Sequence, residues 1–275
     1  MNKSSRESLQ NTLKNYIEAI DVPSKEVLME RLCERLQQGA FISFAQNYED
    51  VILNRIFRLK EKGFYVDVGA FHPIEKSVTC HFSKRGWTGM NVDICNENIS
   101  RFEKHRPLDL NICAAIGSKD GIEEFFVQRG TTRTTKDKSL AESYEKRGVK
   151  LESQQLNVYT LSGLLSRNNI KKIDFLSVDV EGAEIDVFQG INFDLHRPTV
   201  ILAEATYPET DIPNWEGWEP ILEAAGYFCV YFDGLNRFYI ESDNTILIDY
   251  FKIPPNYFDN FIRHDSIVNL ISGWE

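Results

Sequence analysis

Phe64-Tyr65-Val66-Asp67-Val68-Gly69-Ala70-Phe71-His72-Pro73 is the stretch whose reading decides the fold. Its apolar, β-branched and aromatic residues run without alternation up to Gly69, where a tight turn becomes accessible. Short runs of the same texture recur at Gly89-Met90-Asn91-Val92-Asp93 and at residues 110–115, 173–180 and 199–205. Helical stretches separate most of them, at residues 77–85, 96–104, 161–168, 183–190 and 215–225. Strands that are apolar throughout, alternating with helices, predict a mostly parallel sheet covered on both faces. Two late runs, 227–232 and 237–241, flank Asp233-Gly234-Leu235-Asn236, a turn short enough for an antiparallel hairpin at the sheet edge. The expected fold class is α/β, with a Rossmann-like sheet and an N-terminal helical extension.

Upstream of the sheet, Leu9, Leu13, Ile17 and Ile20 recur at helical spacing, as do Val27, Leu28, Leu32 and Leu36 after Pro23-Ser24. Another helix is predicted over residues 48–59. The expected division is an extension over residues 1–40 and a main domain over 41–275. That extension packs on the core or on a second copy of the chain, making a homo-oligomer. Within the main domain, residues 128–150 set Arg129, Arg133, Lys136, Lys138, Lys146, Arg147 and Lys150 against Asp137, Glu142 and Glu145. A solvated basic insertion is the default reading, and a lid meeting an anionic substrate group is the sharper one.

The 275 residues are 42% hydrophobic and 12% aromatic, enough to bury a full core. A formal net charge of −10 argues against nucleic acid or an anionic membrane surface as the partner. Five scattered cysteines without CxxC spacing read as reduced thiols. Residues 1–13 lack an apolar secretory core, and no run approaches the roughly 18 apolar residues of a membrane helix. These features predict a cytoplasmic protein.

Ligands of open parallel sheets sit at the carboxyl ends of the strands. The first strand ends at Gly69 and the second at Asp93, an acid that can bind both ribose hydroxyls of an adenosine cofactor. A dinucleotide loop needs further glycines and bare N–H groups, whereas here His72-Pro73 follows and proline has no N–H. Asp67 repels a phosphate and attracts an ammonium or a sulfonium. The electrostatics favour S-adenosylmethionine over NAD.

Asp179, Glu181 and Glu184 cluster where one strand runs into the next helix. Glu184 reads first as a complement to the helix N-terminus. A hydroxyl acceptor needs its proton removed by a base or acidified by a metal. Asp179, Glu181 and His72 are candidate bases, and Asp179 with Glu204 is a candidate pair for a divalent ion, so no metal ligand set is committed. Tyr207, Trp215 and Trp218 follow the fifth strand; each reads first as core or surface packing and second as a stacking residue for an acceptor. Asn236 and Arg237 can reach hydroxyls or a phosphate from the hairpin. The remaining histidines show no ligand spacing.

These residues resemble the FkbM family of S-adenosylmethionine-dependent methyltransferases over about residues 41–263. The resemblance rests on Ser43-Phe44-Ala45-Gln46-Asn47-Tyr48-Glu49-Asp50, on Tyr65 to Pro73 and on Gly86-Trp87-Thr88-Gly89. It continues in Val178-Asp179-Val180-Glu181-Gly182-Ala183-Glu184 and in Asp233 to Tyr239. The Asp233 to Arg237 and Pro254-Pro255-Asn256 segments resemble members found with polysaccharide and glycan biosynthesis. The resemblance implies a class I methyltransferase fold that O-methylates hydroxyls of sugars, glycans or other small molecules. It implies Asp67, Gly69 and Ala70 in the cofactor loop, and Asp93 at the ribose. Asp179 and Glu181 would stand at the reaction centre, with Gln46 and Asp50 near the cofactor's amino-acid end. Ile94 replaces the proline often found there, and Ala115 completes the candidate cofactor set. Two rival readings are an NAD- or nucleotide-sugar-dependent enzyme and a non-catalytic interaction module.

Overall fold

The computed structural model describes residues 23–128, 134–136, 138–208 and 210–272. The helix expected over residues 9–20, together with Arg129, Arg133 and Asp137 of the basic segment, lies outside them. Seven strands make the principal sheet: β1 (Phe64–Val68), β2 (Thr88–Asp93), β3 (Leu110–Cys113), β4 (Phe175–Val178), β5 (Val200–Glu204), β6 (Tyr227–Phe232) and β7 (Asn236–Glu241). Their spatial order is β3-β2-β1-β4-β5-β7-β6. The β3–β2, β2–β1, β1–β4 and β4–β5 pairs are parallel, and β5–β7 and β7–β6 are antiparallel.

Both faces of this sheet are buried, which is why its central strands are apolar without alternation. Val66, Val68, Leu176, Val178, Ile201 and Ala203 enter one core cluster, with Leu161, Leu164 and Leu165 from the helix Leu161–Arg167 and Val187 and Phe188 from Glu184–Gln189. Tyr65, Phe175, Val200 and Leu202 enter a second cluster on the opposite face, with Ile52, Leu53 and Phe57 of the helix Glu49–Phe57. Strand alternation therefore assigns Asp67, Asp179 and Glu204 to the second face, where the apolar runs end.

The fold is mixed α/β, and its strands form more than one sheet. Among the described residues, Ala115–Ile116, Glu152–Tyr159, Gly121–Val127 and Thr134–Thr135 make a separate four-stranded sheet. Gly121–Val127 and Glu152–Tyr159 pair antiparallel along their length, and Glu152–Tyr159 meets Ala115–Ile116 in parallel. Ile122 stays exposed while Phe125 and Val127 are buried, so this strand reads as half-covered and lacks the continuous apolar signal. The basic segment is in part a helix, Lys138–Lys146. Its Lys136 pairs with Asp186 at 2.6 Å and Glu123 at 3.5 Å, so acids of the same chain meet part of its charge.

Helix ends also moved. The helix expected over 77–85 is only Cys80–Lys84, because the Ser77 and Thr79 hydroxyls are engaged by the buried Arg106. The helix expected over 215–225 is Glu219–Ala224, started by Pro220 in its first turn.

The chain divides into two compact units, residues 43–259 and residues 1–42 with 260–275. In the smaller unit, Ser24 caps the helix Lys25–Gln37, and Arg35 Nη2 donates to Phe261 O at 2.7 Å. No helix of the described residues is long and apolar enough to cross a membrane.

Candidate active site

The order of strands reverses between β1 and β4, and a crevice outside their carboxyl ends is where such sheets bind ligands. Gly69 makes the bend at the end of β1 with φ +84°, and its N–H donates to Val92 O at 2.9 Å. A Cβ there would lie 1.7 Å from the Asp179 carbonyl oxygen, so β1 and β4 meet too closely for any side chain. Ala70, buried, donates its N–H to Val92 O at 3.1 Å. Phe71 N–H donates to Asp93 Oδ2 at 2.8 Å, while Cys95 N–H and Asn98 Nδ2 donate to Oδ1 at 2.7 and 3.1 Å. The Asp93 carboxylate thereby ties the β1 and β2 loops together. Burial pushes its pKa up, and these three hydrogen bonds oppose the shift.

Asp67 faces the interior. Thr79 Oγ1 donates to its Oδ2 at 2.9 Å, and Arg106 Nη1 donates to that Thr79 oxygen at 2.6 Å. Arg106 Nη2 also donates to Ser77 Oγ at 2.8 Å and to the Pro73 carbonyl. One buried guanidinium thus holds the loop from Pro73 to Thr79. Burial raises the Asp67 pKa to about 6, against the lowering effects of the Thr79 bond and the Arg106 charge. Replacing Arg106 by Met is expected to destabilise the protein by about 3–5 kcal/mol, because it strands a buried carboxyl. Denaturant titration at neutral pH checks this. A loss below about 1 kcal/mol would mean that Asp67 finds its compensation elsewhere.

Asp179 and Glu204 stand at the carboxyl ends of the paired parallel strands β4 and β5, where the charge of Asp179 acts on Glu204. Asp179 is open to solvent although protein surrounds it closely enough for burial to be the largest cause of its raised pKa. The Glu204 pKa is raised by burial first and by the Asp179 charge second. Two neighbouring carboxyls cannot both ionise cheaply, so the pair retains a proton far above the usual carboxylate range. Glu204 Oε2 has no hydrogen-bond partner among the described residues.

Glu181, half-buried with φ +53°, follows at the turn, where its charge raises both members of the pair. Glu184 accepts from the N–H groups of Val180 and Gly182 at 3.3 and 3.2 Å, and so holds that turn. Among the described residues no group of three or more His, Cys, Asp and Glu has the arrangement of a metal site.

The segment before β1 lies against the hairpin. Asp50 is buried and accepts from Ser43 Oγ and the Phe44 N–H, both at 2.7 Å, which shapes the path leading to the exposed Gln46. Glu49 accepts from Asn47 N–H at 2.7 Å and from Asn236 Nδ2 at 2.8 Å, and burial pushes its pKa up to about 8. Asn47 Nδ2 reaches Asp233 O at 3.1 Å. Asn236 stands beside Glu204 in the β5–β7 register, so this buried network backs the carboxyl pair.

Other candidates are placed less directly. His72 Nδ1 accepts from the N–H groups of Ile74 and Glu75 at 3.2 and 2.9 Å, which leaves its proton on Nε2, and burial lowers its pKa. Arg237 is held by Glu219 at 2.7 Å and lies over the Trp215 ring at 4.4 Å, so each occupies the other. Trp218 is core. Tyr207 is 51% exposed and open to a ligand. Ile94 packs on the second sheet's cluster, which contains Ala115. Sequence reading missed Thr79 and Arg106. A buried arginine beyond a helix end looks like any surface charge until the fold encloses it.

No curated protein and no solved structure matches the chain. A family model does, over residues 67–229, from the bend of β1 through the carboxyl pair and into the hairpin. It is the model of the methyltransferase FkbM domain and spans more than half of the sequence, so the chain belongs to the FkbM family of methyltransferases.

Proposed function

We propose that this protein is an S-adenosylmethionine-dependent O-methyltransferase with a class I, Rossmann-like sheet, acting in the cytoplasm on a hydroxyl of a sugar, glycan or related small molecule. The observation that carries the reading is the placing of Asp179 and Glu204 at the carboxyl ends of adjacent parallel strands, with Asp179 against the Gly69 bend. The β3-β2-β1-β4-β5 order supports the fold assignment, and five free cysteines suit a reducing compartment.

The residues fit the cofactor. The N–H groups of Gly69, Ala70 and Phe71 are all engaged within the protein, so a diphosphate finds no donors in the bend. Asp67, Asp93, Asp179 and Glu181 instead give the site a negative potential suited to a cation. Asp93 accepts three hydrogen bonds, and a carboxylate has about four acceptor positions, which leaves room for a ribose hydroxyl. S-adenosylmethionine, when bound, supplies an electrophilic methyl group on a positively charged sulfur.

The chain's own residues do the rest. Asp179, the exposed member of the pair, takes the proton of the acceptor hydroxyl as the oxygen becomes a nucleophile. Glu204 keeps the shared proton and hydrogen-bonds the Asp179 carboxylate. Glu181 orients the acceptor from the adjoining turn, and the rigid β1–β4 contact fixes the distance over which transfer occurs. Gln46 and Asp50 shape the far wall, with Tyr207 at the acceptor mouth.

Labelled-methyl transfer to sugars, nucleotide sugars and lipid-linked glycans tests the reading, alongside calorimetry with S-adenosylmethionine and NAD. Binding of NAD in place of S-adenosylmethionine would overturn it. The pair also predicts the pH dependence. Its carboxyls are raised, so the base is lost as pH falls through a value above the ordinary carboxylate pKa of about 4. The acidic limb of kcat/KM is expected toward neutrality. Glu204→Gln, which imitates the protonated member, is expected to keep that limb. A limb near pH 4 in the unaltered protein removes the shared proton from the mechanism.

A further inference from the structure

Two buried oxygens at the end of β5 lack hydrogen-bond partners among the described residues: Glu204 Oε2 and Thr206 Oγ1. Such atoms are uncommon in folded proteins, because an unmet polar group in the interior is costly. Here they fall two residues apart in one stretch of chain. That stretch stays extended past Glu204: Asn214 N–H donates to Ala205 O and Tyr207 N–H to Ile212 O, both at 2.8 Å. Thr206 itself bridges Pro213.

Alternation then decides where the two side chains lie. Ile201, Ala203 and Ala205 enter the core cluster on one face, and Val200 and Leu202 enter the cluster on the other. Glu204 and Thr206 continue the second series, the face of Asp179, with successive positions about 6.6 Å apart. Thr206 is 3% exposed, so its hydroxyl is aimed into the protein and not at bulk solvent. Beyond it stands Tyr207, 51% exposed.

From this geometry we infer that Glu204 Oε2 and Thr206 Oγ1 form a subsite for a second hydroxyl of the acceptor, next to the one that Asp179 deprotonates. The inference rests on the proposed methyl transfer and narrows its substrate: the acceptor is a vicinal diol of the kind a sugar ring carries, and not a lone alcohol. A hydroxyl both donates and accepts, so one group satisfies the carboxyl oxygen and the threonine together. An acceptor with only the reacting hydroxyl leaves both atoms unmet and loses discrimination accordingly.

The test uses the full chain with labelled S-adenosylmethionine and two simple probes, trans-cyclohexane-1,2-diol and cyclohexanol. The diol is expected to be methylated with at least tenfold higher kcat/KM. Thr206→Val is expected to abolish most of that preference through KM for the diol, with S-adenosylmethionine affinity unchanged. Because this variant removes a hydroxyl that bonds nothing in the free protein, its melting temperature is expected to equal or exceed that of the parent. Equal use of the two probes, a preference unchanged in the variant, or a clearly lower melting temperature overturns the inference. So does a failure to use either probe while S-adenosylmethionine binds. Absence of S-adenosylmethionine binding instead overturns the reading beneath it.

Discussion

Asp179→Asn is expected to lower kcat by about 100- to 10,000-fold, the range a positioned general base contributes. Asn keeps the size of Asp and its capacity to hydrogen-bond Glu204, but it cannot take a proton from an acceptor. The bend and its contacts with Val92 involve backbone groups and stay intact. Affinity for S-adenosylmethionine is therefore expected to stay within a few-fold, with the loss confined to turnover. Initial rates with the acceptor found by the transfer screen, paired with calorimetry, separate the two. Loss of cofactor affinity in step with turnover would place Asp179 in cofactor binding and leave the base unassigned. Glu181→Gln supplies the contrast, because Glu181 raises the pair's pKa without belonging to it. Its replacement is expected to cost turnover and to shift the acidic limb to lower pH.

Gly69→Ala is expected to cost about 3–5 kcal/mol and to abolish cofactor binding. Two independent penalties combine. The residue sits at φ +84°, a region costly for any side chain, and its new Cβ would fall 1.7 Å from the Asp179 carbonyl oxygen. The carbonyl belongs to the end of a central strand whose next N–H is already bonded across to β1, so it cannot move aside freely: Asp179 N–H donates to Val68 O at 2.9 Å. Gly182→Ala separates the penalties, since φ there is +98° but nothing lies within 4 Å of the added carbon. It is expected to cost about 1–3 kcal/mol from backbone strain alone. Urea midpoints of the two variants are the measurement, and equal losses would refute the close-approach account.

Much of the architecture was legible because it depends on local pattern. The continuous apolar runs of β1, β2, β4 and β5 mark strands covered on both faces, and each appears within a few residues of its expected place. The hairpin was readable from Asp233-Gly234-Leu235-Asn236, where Asp233 Oδ1 accepts from the N–H groups of Leu235 and Asn236 at 2.8 and 2.6 Å. The four-stranded sheet was not, because Glu152–Tyr159 carries Glu, Ser, Gln and Asn through most of its length. Its pairing with Gly121–Val127 joins residues some thirty positions apart, a distance over which local periodicity says nothing.

By itself the sequence determined the sheet's strands, the lone-glycine bend and the acids at the strand ends. Each follows from residue type and spacing within a few neighbours. The tertiary structure alone decided which groups those acids meet. It brought Asp179 against Glu204 from strands separated by a helix, and it buried Arg106 behind Asp67. It also left Glu204 Oε2 and Thr206 Oγ1 buried without hydrogen-bond partners among the described residues. A proton shared between carboxyls depends on separation and on the surrounding low dielectric, and neither quantity exists until distant segments are packed together.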